Sequence, residues 1–98
     1  MAQVEITSES QMPNGWAFEA QVLDDVGVLR RHCVTLSWAD YNLWSRSGSD
    51  VPAKVAEAAL SFLLSRLKPD EVPPRFDASM LRRRFPGVDA EIPQLIQP

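Results

Sequence analysis

Hydrophobic and polar residues alternate along the first third of the chain, a pattern typical of β-strands with one buried face. The alternation covers residues 3–8, 16–24 and 28–37. Polar residues separate the first two runs and end in Asn14-Gly15, a strong turn signal. The pattern therefore predicts three strands that pair in chain order as an antiparallel meander.

Apolar residues also predict how the second and third strands pair. A loop of residues 25–27 would place Gly27 in the left-handed conformation that closes such a hairpin. A loop one residue shorter would shift the pairing and bring Phe18 opposite Cys33 or Thr35, on the polar face. The predicted pairs are Trp16 with Leu36, Phe18 with Val34, Ala20 with His32, and Val22 with Arg30.

Helical patterns begin where the alternation ends. Ser37 is a typical helix cap, and with Asp40 in the first turn it predicts a short helix over residues 38–45. Residues 51–68 form a long run of strong helix formers with an apolar stripe, and Asp50 precedes it as a candidate cap. We expect this main helix to cover the apolar face of the sheet.

The last third of the chain predicts one more short helix, over residues 78–85, with Asp77 as its cap. Residues 88–98 contain Pro93, which limits any helix there, so they are predicted as a C-terminal tail. The order β-β-β-α-α-α fits a single α+β domain over residues 1–98.

Composition agrees with one globular domain. The chain has 98 residues, of which 45% are hydrophobic and 23% charged. No apolar run approaches the roughly 18–20 residues that cross a bilayer. The first ten residues lack the features of a signal peptide, so we expect a cytoplasmic protein with no membrane contact. One cysteine excludes an internal disulfide and a cysteine-based zinc site.

Charge is distributed unevenly. The net charge is −3, which does not favour general binding of nucleic acid. A local arginine group could nevertheless contact phosphates, and this is the alternative function that the sequence offers. These side chains could equally be solvated or paired within the molecule. The candidate residues are Arg75, Arg82, Arg83 and Arg84.

Catalytic and metal-binding patterns are weak. His32 and Cys33 are adjacent in a predicted strand, so their side chains should point to opposite faces and cannot form a nucleophile–base pair. Asp24-Asp25 lacks the spacing of a calcium loop and is more typical of a turn. We therefore predict no catalytic residues, no metal and no cofactor, and an enzyme is the least supported class.

Three aromatic residues are the strongest candidates for a functional surface. Trp38, Tyr41 and Trp44 are spaced three apart on the predicted short helix, and Arg46 follows. Tryptophan and tyrosine dominate the energetics of protein interfaces. The same side chains could instead close the end of a small core. The sequence leaves both interpretations open.

Part of the chain is similar to proteins of one group. A strand that runs into S-W-A-D-Y, a helix with F-L-L, and R-F-D before a short helix ending in F-P resemble a group of small uncharacterised bacterial proteins. The resemblance covers about residues 33–92. It implies a similar domain and no known activity.

The sequence therefore predicts a small non-enzymatic protein-interaction or regulatory module, with nucleic-acid binding as the alternative. Its partner is either another protein or a second copy of the chain. Polar residues would face water on one side of the sheet, and a meander of three strands leaves two exposed edges that a homodimer could pair. The water-facing residues are predicted to include Ala17, Glu19, Gln21, Arg31, Cys33 and Thr35.

Overall fold

Four strands and four helices follow one another along residues 2–96, the part of the chain that the computed structural model describes. The strands are β1 (Gln3–Met12), β2 (Gly15–Leu23), β3 (Leu29–Ser37) and β4 (Arg75–Asp77). The helices are α1 (Trp38–Trp44), α2 (Pro52–Arg66), α3 (Ser79–Arg84) and α4 (Val88–Leu95), with a 3-10 turn at Pro69–Glu71. The α+β class is confirmed and the predicted antiparallel meander of three strands is present, but a fourth strand extends it and makes the sheet mixed.

The second hairpin has the predicted register. Trp16 lies opposite Leu36, and Phe18 lies opposite Val34. Gly27 has a φ of 86°, which the three-residue loop requires and which only glycine adopts at little cost. The apolar match between the two strands therefore identifies their pairing correctly.

The first strand extends beyond the predicted residues 3–8. β1 continues to Met12 and pairs with β2 as far as Gly15, with a bulge between Ile6 and Ser8. The added residues are exposed on both faces, so no alternation of polarity marks them. Backbone pairing, rather than burial, defines this end of the strand.

β4 is the element that the sequence pattern did not predict. It pairs parallel to β3, with Phe76 opposite Val34. Hydrogen bonds continue on both sides of it, from the Cys33 N–H to the Pro74 carbonyl (2.7 Å) and from the Ala78 N–H to the Thr35 carbonyl (2.8 Å). A run of three residues is too short to show alternation.

The core lies between one face of the sheet and the helices. Phe18, Val34 and Phe76 project from this face and are buried. α2 buries seven of its side chains in this core, as expected of the predicted main helix, although it covers Pro52–Arg66 rather than residues 51–68. No helix within residues 2–96 combines the length and the apolar character needed to cross a membrane.

The predicted C-terminal tail is wrong for residues 88–95, which form α4. Val88 and Ile92 lie one turn apart and are both buried, so packing on the core outweighs the cost of Pro93 inside the helix. Residues 97 and 98 of the predicted tail lie outside the described part of the chain.

Two of the three predicted caps act near the ends of their helices. The Asp40 N–H donates to Ser37 Oγ at 3.1 Å, and the Ser79 N–H donates to the Asp77 carboxylate at 3.0 Å. Asp50 does not cap α2, because its carboxylate accepts a hydrogen bond from Ser45 Oγ at 2.6 Å. Proline in the first turn of α2 removes one of the donors that a cap would satisfy.

Candidate functional site

Three aromatic rings meet where β2 and α1 begin. Trp16 lies near the start of β2, and its ring centroid is 6.4 Å from that of Trp38 and 5.3 Å from that of Tyr41. We call Trp16, Trp38 and Tyr41 the aromatic cluster. Edge-on and tilted contacts at these distances are favourable arrangements of aromatic rings. The cluster therefore joins the sheet to the first helix.

Backbone contacts fix the position of the cluster. The Trp38 N–H donates to the Asn14 carbonyl at 2.9 Å, which ties the start of α1 to the turn between β1 and β2. Gly15 allows the backbone of β2 to approach that of β3 closely, because a Cβ at this position would lie 2.0 Å from the Leu36 carbonyl oxygen. The Tyr41 hydroxyl donates to the Asp50 carbonyl. These contacts hold the rings in place without a partner.

Trp38 is the exposed member of the cluster. Its side chain is 48% exposed, whereas Trp16 and Tyr41 are half-buried and pack against the core. A large apolar ring that remains in water while its neighbours support it provides apolar area for a partner to cover. The aromatic cluster therefore exposes one ring to solvent on the support of two others.

Trp44 belongs to the core instead. It is 0% exposed, and its indole N–H donates to Asp89 Oδ1 at 2.8 Å. Six residues along an α-helix turn the side chain about 120° away from its starting direction. The predicted stripe of three aromatic residues therefore divides, with Trp38 at the surface and Trp44 inside.

Arg46 lies in the loop after α1 and is exposed. Within residues 2–96, it makes no cation–π contact with an aromatic ring. The cation–π contacts found there belong to Arg66 over Phe62, at 4.8 Å, and to Arg84 over Phe85, at 5.4 Å. The structure therefore does not bring Arg46 into the aromatic cluster.

A buried carboxylate lies beside the same helix. Asp40 is 4% exposed, and burial raises the pKa of its carboxyl above the ordinary value. Arg82 Nη1 lies 3.5 Å from Asp40 Oδ1 and opposes this rise, as does a hydrogen bond from Ser37. Arg82 Nε lies 3.2 Å from Asp89 Oδ1. One arginine thus links α1, α3 and α4, and we call Asp40, Arg82, Asp89 and Trp44 the helix junction.

The candidate phosphate-binding arginines are divided between two elements. Arg75 projects from β4, whereas Arg82, Arg83 and Arg84 lie on α3. Besides the ion pairs of Arg82, the Arg83 guanidinium donates to Ser79 Oγ at 3.2 Å, and Arg84 stacks on a phenylalanine ring. Contacts within the protein therefore use part of their charge and hydrogen-bonding capacity. Nucleic-acid binding by these residues stays a prediction.

His32 and Cys33 point to opposite faces of the sheet, as predicted. His32 is buried on the helix side, and its Nδ1 lies 2.8 Å from the Pro73 carbonyl oxygen. A carbonyl only accepts, so Nδ1 carries a proton, and Nε2 is buried without a hydrogen-bond partner in the described chain. Within residues 2–96, no group of three or more histidine, cysteine or acidic side chains is arranged to hold a metal ion.

Asp24 has the structural role in a turn that its sequence position suggests. Its carboxylate accepts from the N–H groups of Val28 (2.8 Å) and Val26 (3.0 Å) and lies 2.6 Å from the Arg30 guanidinium. These contacts lower the pKa of Asp24, with the hydrogen bond from Val28 as the largest cause.

A groove of about 700 Å³ lies between the turn that contains Asp24 and the end of α2. Two of the charged groups that line it, Asp24 and Arg66, are engaged in ion pairs.

Trp16 belongs to the aromatic cluster, but the sequence analysis placed it only in the strand pairing and did not name it as a site residue. The predicted register already placed it opposite Leu36, two residues before Trp38 in the chain. That position indicates that a ring on β2 can reach the first residue of the following helix. The register was therefore the signal that could have identified the cluster.

Comparison of the chain with protein-family models, with curated proteins and with solved structures found no match. The resemblance over about residues 33–92 to small bacterial proteins stays a prediction. A proposed function must therefore be argued from the geometry described above.

Proposed function

We propose that this protein is a protein-interaction module that binds an apolar segment of another protein through the aromatic cluster. The observation that carries the proposal is the half-exposed ring of Trp38, which is supported from behind by Trp16 and Tyr41. Tryptophan and tyrosine are the residues most enriched among interface positions that dominate binding energy. Covering the Trp38 ring would remove its remaining apolar surface from water.

Preorganisation supports the same function. Ordering a flexible side chain on binding costs about 0.5–1.5 kcal/mol, and this cost is smaller when the ring is already held. Two hydrogen bonds restrain the segment that carries the cluster, one from the Trp38 N–H and one from the Tyr41 hydroxyl. More of the burial energy at this surface is then available for affinity.

The test is a selection of peptides on the immobilised protein from a phage-displayed library of protein fragments. We expect enriched apolar peptides whose dissociation constants, measured by fluorescence anisotropy, rise at least about tenfold in Trp38→Ala. Leu43→Ala is the matched control, because Leu43 is also an exposed apolar residue of α1. It should bind the same peptides as tightly as the unsubstituted protein.

Two results would contradict the proposal. One is that Trp38→Ala, with an unchanged thermal unfolding curve, binds the enriched peptides with unchanged affinity. The other is that no peptide is enriched above the level found with an unrelated protein. Either result would remove the aromatic cluster as the contact surface.

A further inference from the structure

One face of the sheet is not covered by any helix of residues 2–96. The core side chains of β2, β3 and β4 all project to the other face, where the four helices contribute the rest of the core. The alternate residues of the strands project to the uncovered face and, apart from Gly15, are half-buried or exposed. We call this surface the open face.

Glutamate and arginine side chains lie on opposite sides of the open face. Glu5 and Glu19 project from β1 and β2, whereas Arg31 and Arg75 project from β3 and β4. Within the described residues, none of these four side chains takes part in an ion pair. Asp77 also lies on this face, but its carboxylate accepts hydrogen bonds from Thr35 and Ser79.

The pairing register places these charges in rows across the sheet. One row runs from Glu5 on β1 through Gln21 to Arg31, and the next runs from Ser8 on β1 through Glu19 and Cys33 to Arg75. Each row therefore carries one acidic residue on its β1–β2 side and one arginine on its β3–β4 side. A shallow cavity of about 360 Å³ lies between Glu19 and Arg75, with Cys33 in its lining.

Apolar surface accompanies the charges at one end of the open face. Leu23 and Leu29 lie opposite each other there and are 39% and 52% exposed. An uncovered leucine pair beside unpaired opposite charges is typical of a surface that another protein covers.

We propose that a second copy of this chain covers the open face. A two-fold axis parallel to the strands, between β2 and β3, places the arginine side of each copy over the acidic side of the other. β3 of each copy then lies over β2 of the other, and β4 lies over β1. Arg31 therefore lies about one strand spacing to the side of Glu5 of the other copy, and Arg75 lies about one strand spacing to the side of Glu19. Closed two-fold symmetry of this kind is the commonest arrangement of protein dimers.

The charge pattern favours this axis over an in-plane two-fold axis perpendicular to the strands. A two-fold axis perpendicular to the strands would place β1 over β1 and β4 over β4. Acidic residues would then meet acidic residues, and arginines would meet arginines, which is unfavourable. The self-complementary arrangement is the one in which both copies gain ion pairs.

The size of the face predicts a weak dimer. A strand of nine residues is about 30 Å long, and four strands span about 15 Å, so the face is roughly 450 Å² in projection. Stable interfaces commonly bury about 800 Å² of each partner. We therefore expect a dissociation constant of about 10–100 µM, where charge complementarity decides whether the dimer forms.

The test uses two variants in full-length protein, each with charge of one sign on the open face. Glu5→Lys/Glu19→Lys makes the face basic, and Arg31→Glu/Arg75→Glu makes it acidic. In sedimentation equilibrium the unsubstituted protein should dimerise, and each variant alone should dimerise at least about tenfold more weakly. An equimolar mixture of the two should regain dimerisation, because every contact is again between opposite charges.

Controls separate this surface from other effects. Arg46→Glu/Arg84→Glu changes the net charge as much as Arg31→Glu/Arg75→Glu but lies off the open face, and it should dimerise normally. Thermal unfolding of each variant establishes that it is folded. Cys33 is the one cysteine of the chain, so a short bismaleimide should link two unsubstituted copies and fail to link either variant alone.

The proposal is overturned if the unsubstituted protein is monomeric at about 1 mM, well above the expected dissociation constant. It is also overturned if either variant alone dimerises normally, or if the mixture does not regain dimerisation. Trp38→Ala should leave the dimer intact. A protein that does not dimerise would therefore not contradict the proposed binding by the aromatic cluster, and failure of that binding would not contradict the dimer.

Discussion

The short helix α1 contributes one tryptophan to each of two regions that differ in almost every physical respect. In the aromatic cluster, Trp38 is half-exposed and supported by neighbouring rings. In the helix junction, Trp44 is fully buried and its N–H is bonded to Asp89. A buried indole N–H must find a partner inside the protein, whereas an exposed ring keeps its surface for another molecule. Within seven residues, α1 therefore places one tryptophan in the core and one at the surface, and the function proposed above rests on the second.

The largest expected difference between the regions is in stability. Trp44→Ala removes a fully buried ring and should lower the free energy of unfolding by about 3–5 kcal/mol. Trp38→Ala removes a half-exposed ring and should lower it by about 1 kcal/mol or less. Urea denaturation followed by circular dichroism measures both values.

Trp44→Phe serves as the control for the lost hydrogen bond. It retains most of the ring but leaves the Asp89 carboxylate without the indole donor, so we expect an intermediate loss of about 1–3 kcal/mol. If Trp38→Ala were as destabilising as Trp44→Ala, the division between the two regions would be wrong, and Trp38 would be a core residue in its effect.

The same comparison shows what the sequence could predict. The register of the second hairpin followed from apolar residues such as Phe18 and Val34, because a shift of one residue would turn them into water. The main helix followed from its apolar stripe in the same way. Burial periodicity is thus a reliable signal where an element packs one face on the core.

The sequence was less informative where contacts between distant segments decide the structure. Three residues around Phe76 become a strand only because the edge of β3 is available. The spacing of Trp38 and Trp44 suggested one aromatic surface, but it did not reveal that Asp89, far along the chain, accepts the indole N–H of Trp44. Such partners become visible only after the fold brings them together.

A smaller effect is expected from Arg82, which connects the helix junction to solvent. Arg82→Ala leaves the buried Asp40 carboxylate without its cation and should lower the free energy of unfolding by about 1–2 kcal/mol. The value is modest because the Arg82 side chain is nearly half-exposed and water screens the pair. Arg83→Ala, which removes the next arginine of α3, is the matched control and should cost less than about 0.5 kcal/mol. Equal losses in the two variants would show that the contact with Asp40 contributes nothing.

The smallest expected effect is that the stability contributed by two carboxylates changes with pH in opposite directions. Burial raises the pKa of Asp40 above 3.8, whereas the hydrogen bond from Val28 and the contact with Arg30 lower the pKa of Asp24 below 3.8. Because its pKa is raised in the folded state, Asp40 contributes stability at pH values below its pKa in the unfolded state. It loses this contribution as the pH rises through its pKa in the folded state. Because its pKa is lowered in the folded state, Asp24 contributes stability at pH values above its pKa in the unfolded state, and it loses this contribution as the pH falls through its pKa in the folded state.

Replacing each carboxyl by its amide tests these opposite signs. Between about pH 3 and pH 7, the destabilisation caused by Asp40→Asn should decrease as the pH rises, and that caused by Asp24→Asn should increase. Urea denaturation at several pH values measures both trends, with the unsubstituted protein at each pH as the reference. If the two variants changed in the same direction, the ion pair with Arg82 and the hydrogen bond from Ser37 would outweigh burial, and the pKa of Asp40 would be lowered as that of Asp24 is. The helix junction would then not differ electrostatically from the surface turns.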